Sequence, residues 1–136
     1  MSQRRIIIAE PCGFCSGVRN ALAMIEKKLE KTTENIYILK GLIHNNGIAA
    51  ELRKSGCIFV EDVEDIPPGS ETVFGAHGVS AKVKALAAER MLHVTDATCP
   101  LVEQLQRQAA AVTPEQELVL FGHPGHPELE GVLGHA

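Results

Sequence analysis

Tryptophan is absent, Tyr37 is the only tyrosine, and aromatic residues of all kinds make up 4% of the chain. That leaves almost no platform on which nucleic-acid bases could stack. Basic residues are also in the minority, 13 Lys and Arg against 17 Asp and Glu, for a formal charge of −4 with histidine neutral. Such a balance argues against general nucleic-acid binding. No apolar run approaches the roughly 20 residues of a membrane span. After Met1-Ser2-Gln3-Arg4-Arg5 the chain enters a β-favouring run without any signal-peptide pattern. These absences point to the cytoplasm. Cysteine is sparse, at four in 136 residues, and in a reducing cytosol these four do not make a disulfide framework. Metal binding, redox chemistry or plain burial must explain them. What remains, 45% hydrophobic and 22% charged residues, suffices for one ordinary soluble core.

The order of the residues says more. Runs of β-favouring residues repeatedly end in a short turn carrying a cysteine or a histidine, and a helical pattern follows. Ile6-Ile7-Ile8-Ala9 leads to Cys15, Ile36-Tyr37-Ile38-Leu39 to His44, Thr72-Val73-Phe74 to His77, His93-Val94-Thr95 to Cys99, and Leu118-Val119-Leu120-Phe121 to His126. Cys57-Ile58-Phe59-Val60 reads as a further strand. Val18, Leu22, Ile25 and Leu29 recur at helical spacing after a cap at Ser16, and Ile48 and Leu52 after Asn45 or Asn46, with Gly56 as the stop. Ser80 caps a helix burying Val83, Leu86 and Ala87. Pro100 opens another, with a Leu101, Leu105 and Val112 stripe before Pro114. Alternating strands and helices predict an α/β fold with mainly parallel sheets and right-handed crossovers. No capped final helix is expected after residue 121. A domain boundary is expected inside the alternation near the Asp96 to Pro100 turn, giving a first α/β domain over residues 1–98 and the start of a second, incomplete one over residues 99–136.

In open α/β sheets, ligands bind beyond the carboxyl ends of the strands. Two thiols and three imidazoles facing one crevice would make a soft metal centre beside an anion site. Cys15 opens a helix in a glycine-containing loop, where a thiolate is favoured and can ligate a metal. Cys12-x-x-Cys15 would also suit a dithiol redox pair or half of a zinc site, and Cys12 would equally suit an inert thiol. Asp96-Ala97-Thr98-Cys99-Pro100 repeats the arrangement, with Thr98 able to cap and Cys99 projecting from the turn. Cys57, within an apolar strand, reads as core. His44, His77 and His126 occupy equivalent places in successive units and offer hydrogen-bond donors to phosphate oxygens. Glu128 is a candidate proton donor, or a carboxylate placed at a helix start to complement its dipole. His123 reads as supporting or structural, and His93 and His135 carry no argument.

Taken together, Pro11-Cys12-Gly13-Phe14-Cys15-Ser16-Gly17-Val18, Ile43-His44-Asn45, Ala76-His77-Gly78-Val79-Ser80, Asp96-Ala97-Thr98-Cys99-Pro100-Leu101-Val102 and Gly122-His123-Pro124-Gly125-His126-Pro127-Glu128 resemble, in order and spacing, the 4-hydroxy-3-methylbut-2-enyl diphosphate reductases. Cys12 departs from the arginine found there in many members. The resemblance runs through the chain but covers about the N-terminal half of a usual member.

It implies three similar α/β domains around a 4Fe-4S cluster, each giving one cysteine. Cys15 and Cys99 match the first two ligands, and the third belongs to a region absent here. It further implies His44, His77 and His126 as holders of the diphosphate and Glu128 as the supporter of proton delivery. The reaction is reductive dehydroxylation to isopentenyl and dimethylallyl diphosphates, in the non-mevalonate pathway of isoprenoid precursor biosynthesis. Electrons would come from ferredoxin or flavodoxin, and a complementing C-terminal half would supply what the chain lacks. Two alternatives stand beside this: a thiol or zinc-dependent enzyme using Cys12 and Cys15, and a truncated, non-catalytic diphosphate- or partner-binding protein.

Overall fold

The structure is a computed structural model and describes residues 5–136; the lead of residues 1–4, read above as lacking a signal pattern, lies outside them. Strands β1 (Ile36–Leu39), β2 (Cys57–Val60), β3 (Glu71–Phe74) and β4 (His93–Asp96) form one sheet in the order β2-β1-β3-β4. All its pairings are parallel, in registers such as Ile38 opposite Phe59 and Val73. Their carboxyl ends therefore share one edge. The helices are α1 (Ser16–Leu29), α2 (Asn46–Lys54), α3 (Ala81–Glu89), α4 (Pro100–Ala110) and α5 (Pro127–Leu133), with a 3-10 turn over Val63–Asp65.

Both faces of the sheet are covered, as a parallel sheet requires. Because side chains alternate along a strand, Ile36 and Ile38 bury against Ala21 and Ile25 of α1 and Leu52 of α2. Leu39 and Phe74 bury on the other side, with Ile66, Val79 and Ala87. A fully buried side chain such as Ile38 contributes about 1.5–3 kcal/mol. Cys57 lies in the first cluster as expected, and burial pushes its thiol up. Asn45 caps α2 by accepting the Ile48 N–H at 3.1 Å, and Ser80 caps α3 by accepting that of Val83 at 3.3 Å.

Several expectations fail. Residues 6–9 and 118–121 are not strands: Ile6, Ile7 and Ile8 are 90%, 76% and 75% exposed, and Phe121 is 93% exposed. β-propensity alone does not order a strand, and neither run has a ladder partner among the described residues. The cap of α1 is Cys15 rather than Ser16, and that of α4 is Cys99 rather than Thr98. Thr98 bonds Asp96 instead, through both its amide and its hydroxyl. On α4 the buried face carries Val102, Gln106 and Ala109, while Leu101 and Leu105 of the expected stripe are exposed. The cause is α5, which packs on α4 and selects its inner face. This last helix was not expected, and at seven residues it is too short to show a period.

Candidate functional site

Three loops at the carboxyl edge of the sheet each deliver one imidazole. After β1 the backbone turns through positive φ at Lys40 and Gly41, buries Leu42 and leaves His44 beside the α2 cap. After β3, Gly75 packs so closely on the Gly41 carbonyl that any Cβ there would collide with it. Ala76 N–H donates to the Leu42 carbonyl at 3.2 Å. With the two loops joined in this way, the His44 and His77 rings lie 4.7 Å apart, centroid to centroid.

His126 arrives from the far end of the chain on α5, which is anchored at several points. Ala81 N–H donates to the Gly134 carbonyl at 3.3 Å, the His135 ring contacts the Val79 carbonyl at 3.1 Å, and Lys40 pairs with Glu130 at 2.9 Å. The His126 ring then stands 5.2 Å from that of His44 and 5.4 Å from that of His77. His44 Nε2 and His126 Nε2 approach to 3.2 Å. One nitrogen from each of the three rings falls within a 4.8 Å group.

This cluster has an electrostatic cost. Burial lowers the His77 pKa from its ordinary 6.5, the neighbouring His44 and His126 lower it further, and the Glu128 carboxylate partly opposes them. His77 Nδ1 is also buried without a hydrogen-bond partner among the described residues, a state that costs about 1–3 kcal/mol. An oxyanion placed against the exposed edges of these rings would accept their hydrogen bonds and offset the lowering of the His77 pKa.

The thiols converge as well. Cys15 and Cys99 are the N-caps of α1 and α4, yet neither side chain makes a capping hydrogen bond. A Cβ built on the buried Gly17 would lie 2.7 Å from Cys99 Sγ and 3.9 Å from Cys15 Sγ. The two sulfurs are therefore no further apart than the sum of those distances. Cys99 N–H donates to the Ala76 carbonyl at 3.0 Å, which ties the thiol turn to the residue before His77. Two uncapped thiols at helix N-termini, Cys15 exposed and Cys99 partly so, fit a soft metal centre that draws further ligands from elsewhere.

The family described as LytB protein matches residues 6–136. The chain belongs to the LytB family. Among curated relatives, the 4-hydroxy-3-methylbut-2-enyl diphosphate reductase of Leifsonia xyli subsp. xyli is 44% identical over 135 residues, which are 98% of this chain and 40% of the relative. The protein of the same name from Magnetococcus marinus is 44% identical over 131 residues, 96% of this chain and 43% of that protein. The solved E-1-hydroxy-2-methyl-but-2-enyl-4-diphosphate reductase from Plasmodium falciparum superposes with a TM-score of 0.88 at 34% identity, over 93% of this chain and 40% of the other. The chain thus spans about two fifths of the length of these LytB relatives. Neither the dithiol nor the zinc reading of Cys12 and Cys15 finds support in the match.

The expected residues His44, His77, His126 and Glu128 lie together, and Cys15 and Cys99 form the neighbouring pair. Cys12 is exposed, and His123 is exposed on the loop before α5. Of the two glycines in the Cys15 loop, expected to take unusual dihedrals, Gly13 has positive φ and Gly17 does not; sequence reasoning missed that Gly17 packs on the Cys99 thiol and that Gly75 packs on the Gly41 carbonyl. It also missed His135, which anchors α5. The signal for α5 was His126-Pro127-Glu128: proline at the first helical position and acid in the first turn.

Proposed function

We propose that this chain is the substrate-gripping part of a 4-hydroxy-3-methylbut-2-enyl diphosphate reductase, an iron-sulfur oxidoreductase of the non-mevalonate pathway in the cytoplasm. The observation that supports it best is the convergence of three imidazoles from three separate loops beside a pair of uncapped thiols. His44, His77 and His126 hold the diphosphate through N–H donors, and protonation of the His77 ring strengthens the grip. Cys15 and Cys99 would hold a 4Fe-4S cluster, with the third cysteine supplied from outside this chain by the rest of a second domain, which begins at residue 99, or by a third. When bound, that cluster supplies Lewis acidity and a path for electrons. Glu128, beside the imidazoles, holds the proton that lets the substrate hydroxyl leave as water. The balance is two electrons and two protons taken up and one water released, giving isopentenyl and dimethylallyl diphosphates. Ferredoxin or flavodoxin supplies the electrons.

The test is anaerobic reconstitution of the chain together with its complementing half, followed by iron and sulfide analysis. Bound iron and sulfide are expected, and both should be lost in Cys15→Ser and in Cys99→Ser but retained in Cys12→Ser. Stoichiometric zinc with no sulfide would overturn the proposal.

A further inference from the structure

By spacing alone the three histidines could be a metal site. Two ligands on a tetrahedral zinc, with Zn–N of about 2.0–2.1 Å, stand roughly 3.3 Å apart, and His44 Nε2 and His126 Nε2 are separated by 3.2 Å. What distinguishes a cation site from an anion site is where the ring hydrogens are. A neutral imidazole carries one N–H and one lone pair. A ligating histidine turns its lone pair to the metal and donates its other N–H to an acceptor.

His126 is built the opposite way. Its ring is the N-cap of α5, and its Nδ1 accepts the Glu128 N–H at 3.2 Å. Pro127, at the first helical position, has no N–H, so the Glu128 amide is the first in α5 that needs an acceptor. With its lone pair committed at Nδ1, the ring must carry its hydrogen on Nε2, the atom that faces His44. Moving that hydrogen to Nδ1 would set two N–H groups against each other and discard the cap. His44 Nε2 then accepts from His126.

We infer that the α5 cap locks His126 as an Nε2–H donor and thereby bars a divalent cation from the trihistidine cluster. His126 is in this sense a specificity-determining residue, and the cap positions its proton. The inference deepens the diphosphate reading, because a fixed donor suits an oxyanion. It can nevertheless be tested with no anion present.

Long-range proton–nitrogen correlation spectra of the full chain, labelled with ¹⁵N in histidine, report which ring nitrogen of His126 bears hydrogen. The Nε2–H form is expected, and zinc added alone should leave its signal in place even where the cysteines take up metal. Glu128→Gln keeps the amide N–H and should keep the tautomer. Glu128→Pro removes the amide N–H, so it should release Nδ1 and let zinc shift the His126 signals at a concentration at least tenfold lower. Should Glu128→Pro fail to fold, the native chain and Glu128→Gln still decide. Hydrogen on Nδ1 in the native chain, or zinc displacing the Nε2 hydrogen equally in the native chain and in both variants, overturns the inference. A chain that keeps this tautomer and refuses zinc yet ignores inorganic pyrophosphate supports the inference and removes the diphosphate reading.

Discussion

Gly17 and Cys99 are in contact across the start of two helices: a Cβ at residue 17 would lie 2.7 Å from Cys99 Sγ and 3.2 Å from Cys99 Cβ. Glycine is a poor helix former, costing about 0.8–1.0 kcal/mol relative to alanine, so its presence inside the first turn of α1 reflects that crowding. Gly17→Ala should keep the fold, since the gain in helix propensity offsets part of the cost of moving the Cys99 side chain, whose Cβ must give by a few tenths of an ångström along with the thiol. Cys99 Sγ, however, would be displaced. We expect iron affinity after anaerobic reconstitution to fall by about 10- to 100-fold, the range typical of changes just outside a metal's ligands, with far-UV circular dichroism unchanged. Native iron content in Gly17→Ala would show that the glycine has no part in placing the thiol.

Gly75→Ala tests the histidine cluster in the same way, but here the obstacle is rigid backbone, the Gly41 carbonyl. The two loops must separate, and overpacking of this kind costs about 1–3 kcal/mol. Pyrophosphate affinity, measured by calorimetry, should drop along with the denaturation midpoint. A variant that loses stability but binds as tightly as the native chain would uncouple the loop contact from the site.

The lowered His77 pKa carries a pH signature of definite sign. The ring ionises at 6.5 in the absence of perturbation, and burial and the neighbouring histidines lower that value in the folded chain. Below pH 6.5 the unfolded chain thus binds a proton that the folded chain resists. Stability is lost as the pH falls from 6.5 through the lowered value. Urea midpoints across that interval should fall more steeply in the native chain than in His77→Gln. Because an oxyanion favours the charged ring, pyrophosphate affinity should move the other way, rising as the pH falls through the same window.

Glu128→Gln should spare the cluster and most of the diphosphate affinity, since the amide is nearly isosteric and the N–H that caps on His126 is kept. The loss should appear in turnover of the completed enzyme, at about 10²- to 10⁴-fold, the usual scale of general acid–base catalysis. Unchanged turnover where chemistry limits the rate would remove Glu128 from proton transfer.

The strands over residues 36–39, 57–60, 71–74 and 93–96, and the caps at Asn45 and Ser80, were legible in the sequence because they rest on local chemistry. Short β-favouring runs, turn residues and capping side chains act within a few positions of one another. The motifs also showed which side chains would lie at strand ends, and a parallel arrangement places those ends on one edge. Local preference could not say which strands find a partner. The 6–9 and 118–121 runs have the right residues but no ladder among the described residues, and α4 turned a different face inward once α5 lay against it. Only the tertiary structure decided that His126 meets His44 across 82 positions of sequence, that Gly17 packs on the Cys99 thiol and Gly75 on the Gly41 carbonyl, and that the first free amide of a seven-residue helix donates to His126 Nδ1. Each of these depends on atoms brought together by long-range packing, and the pattern of neighbouring residues does not encode it.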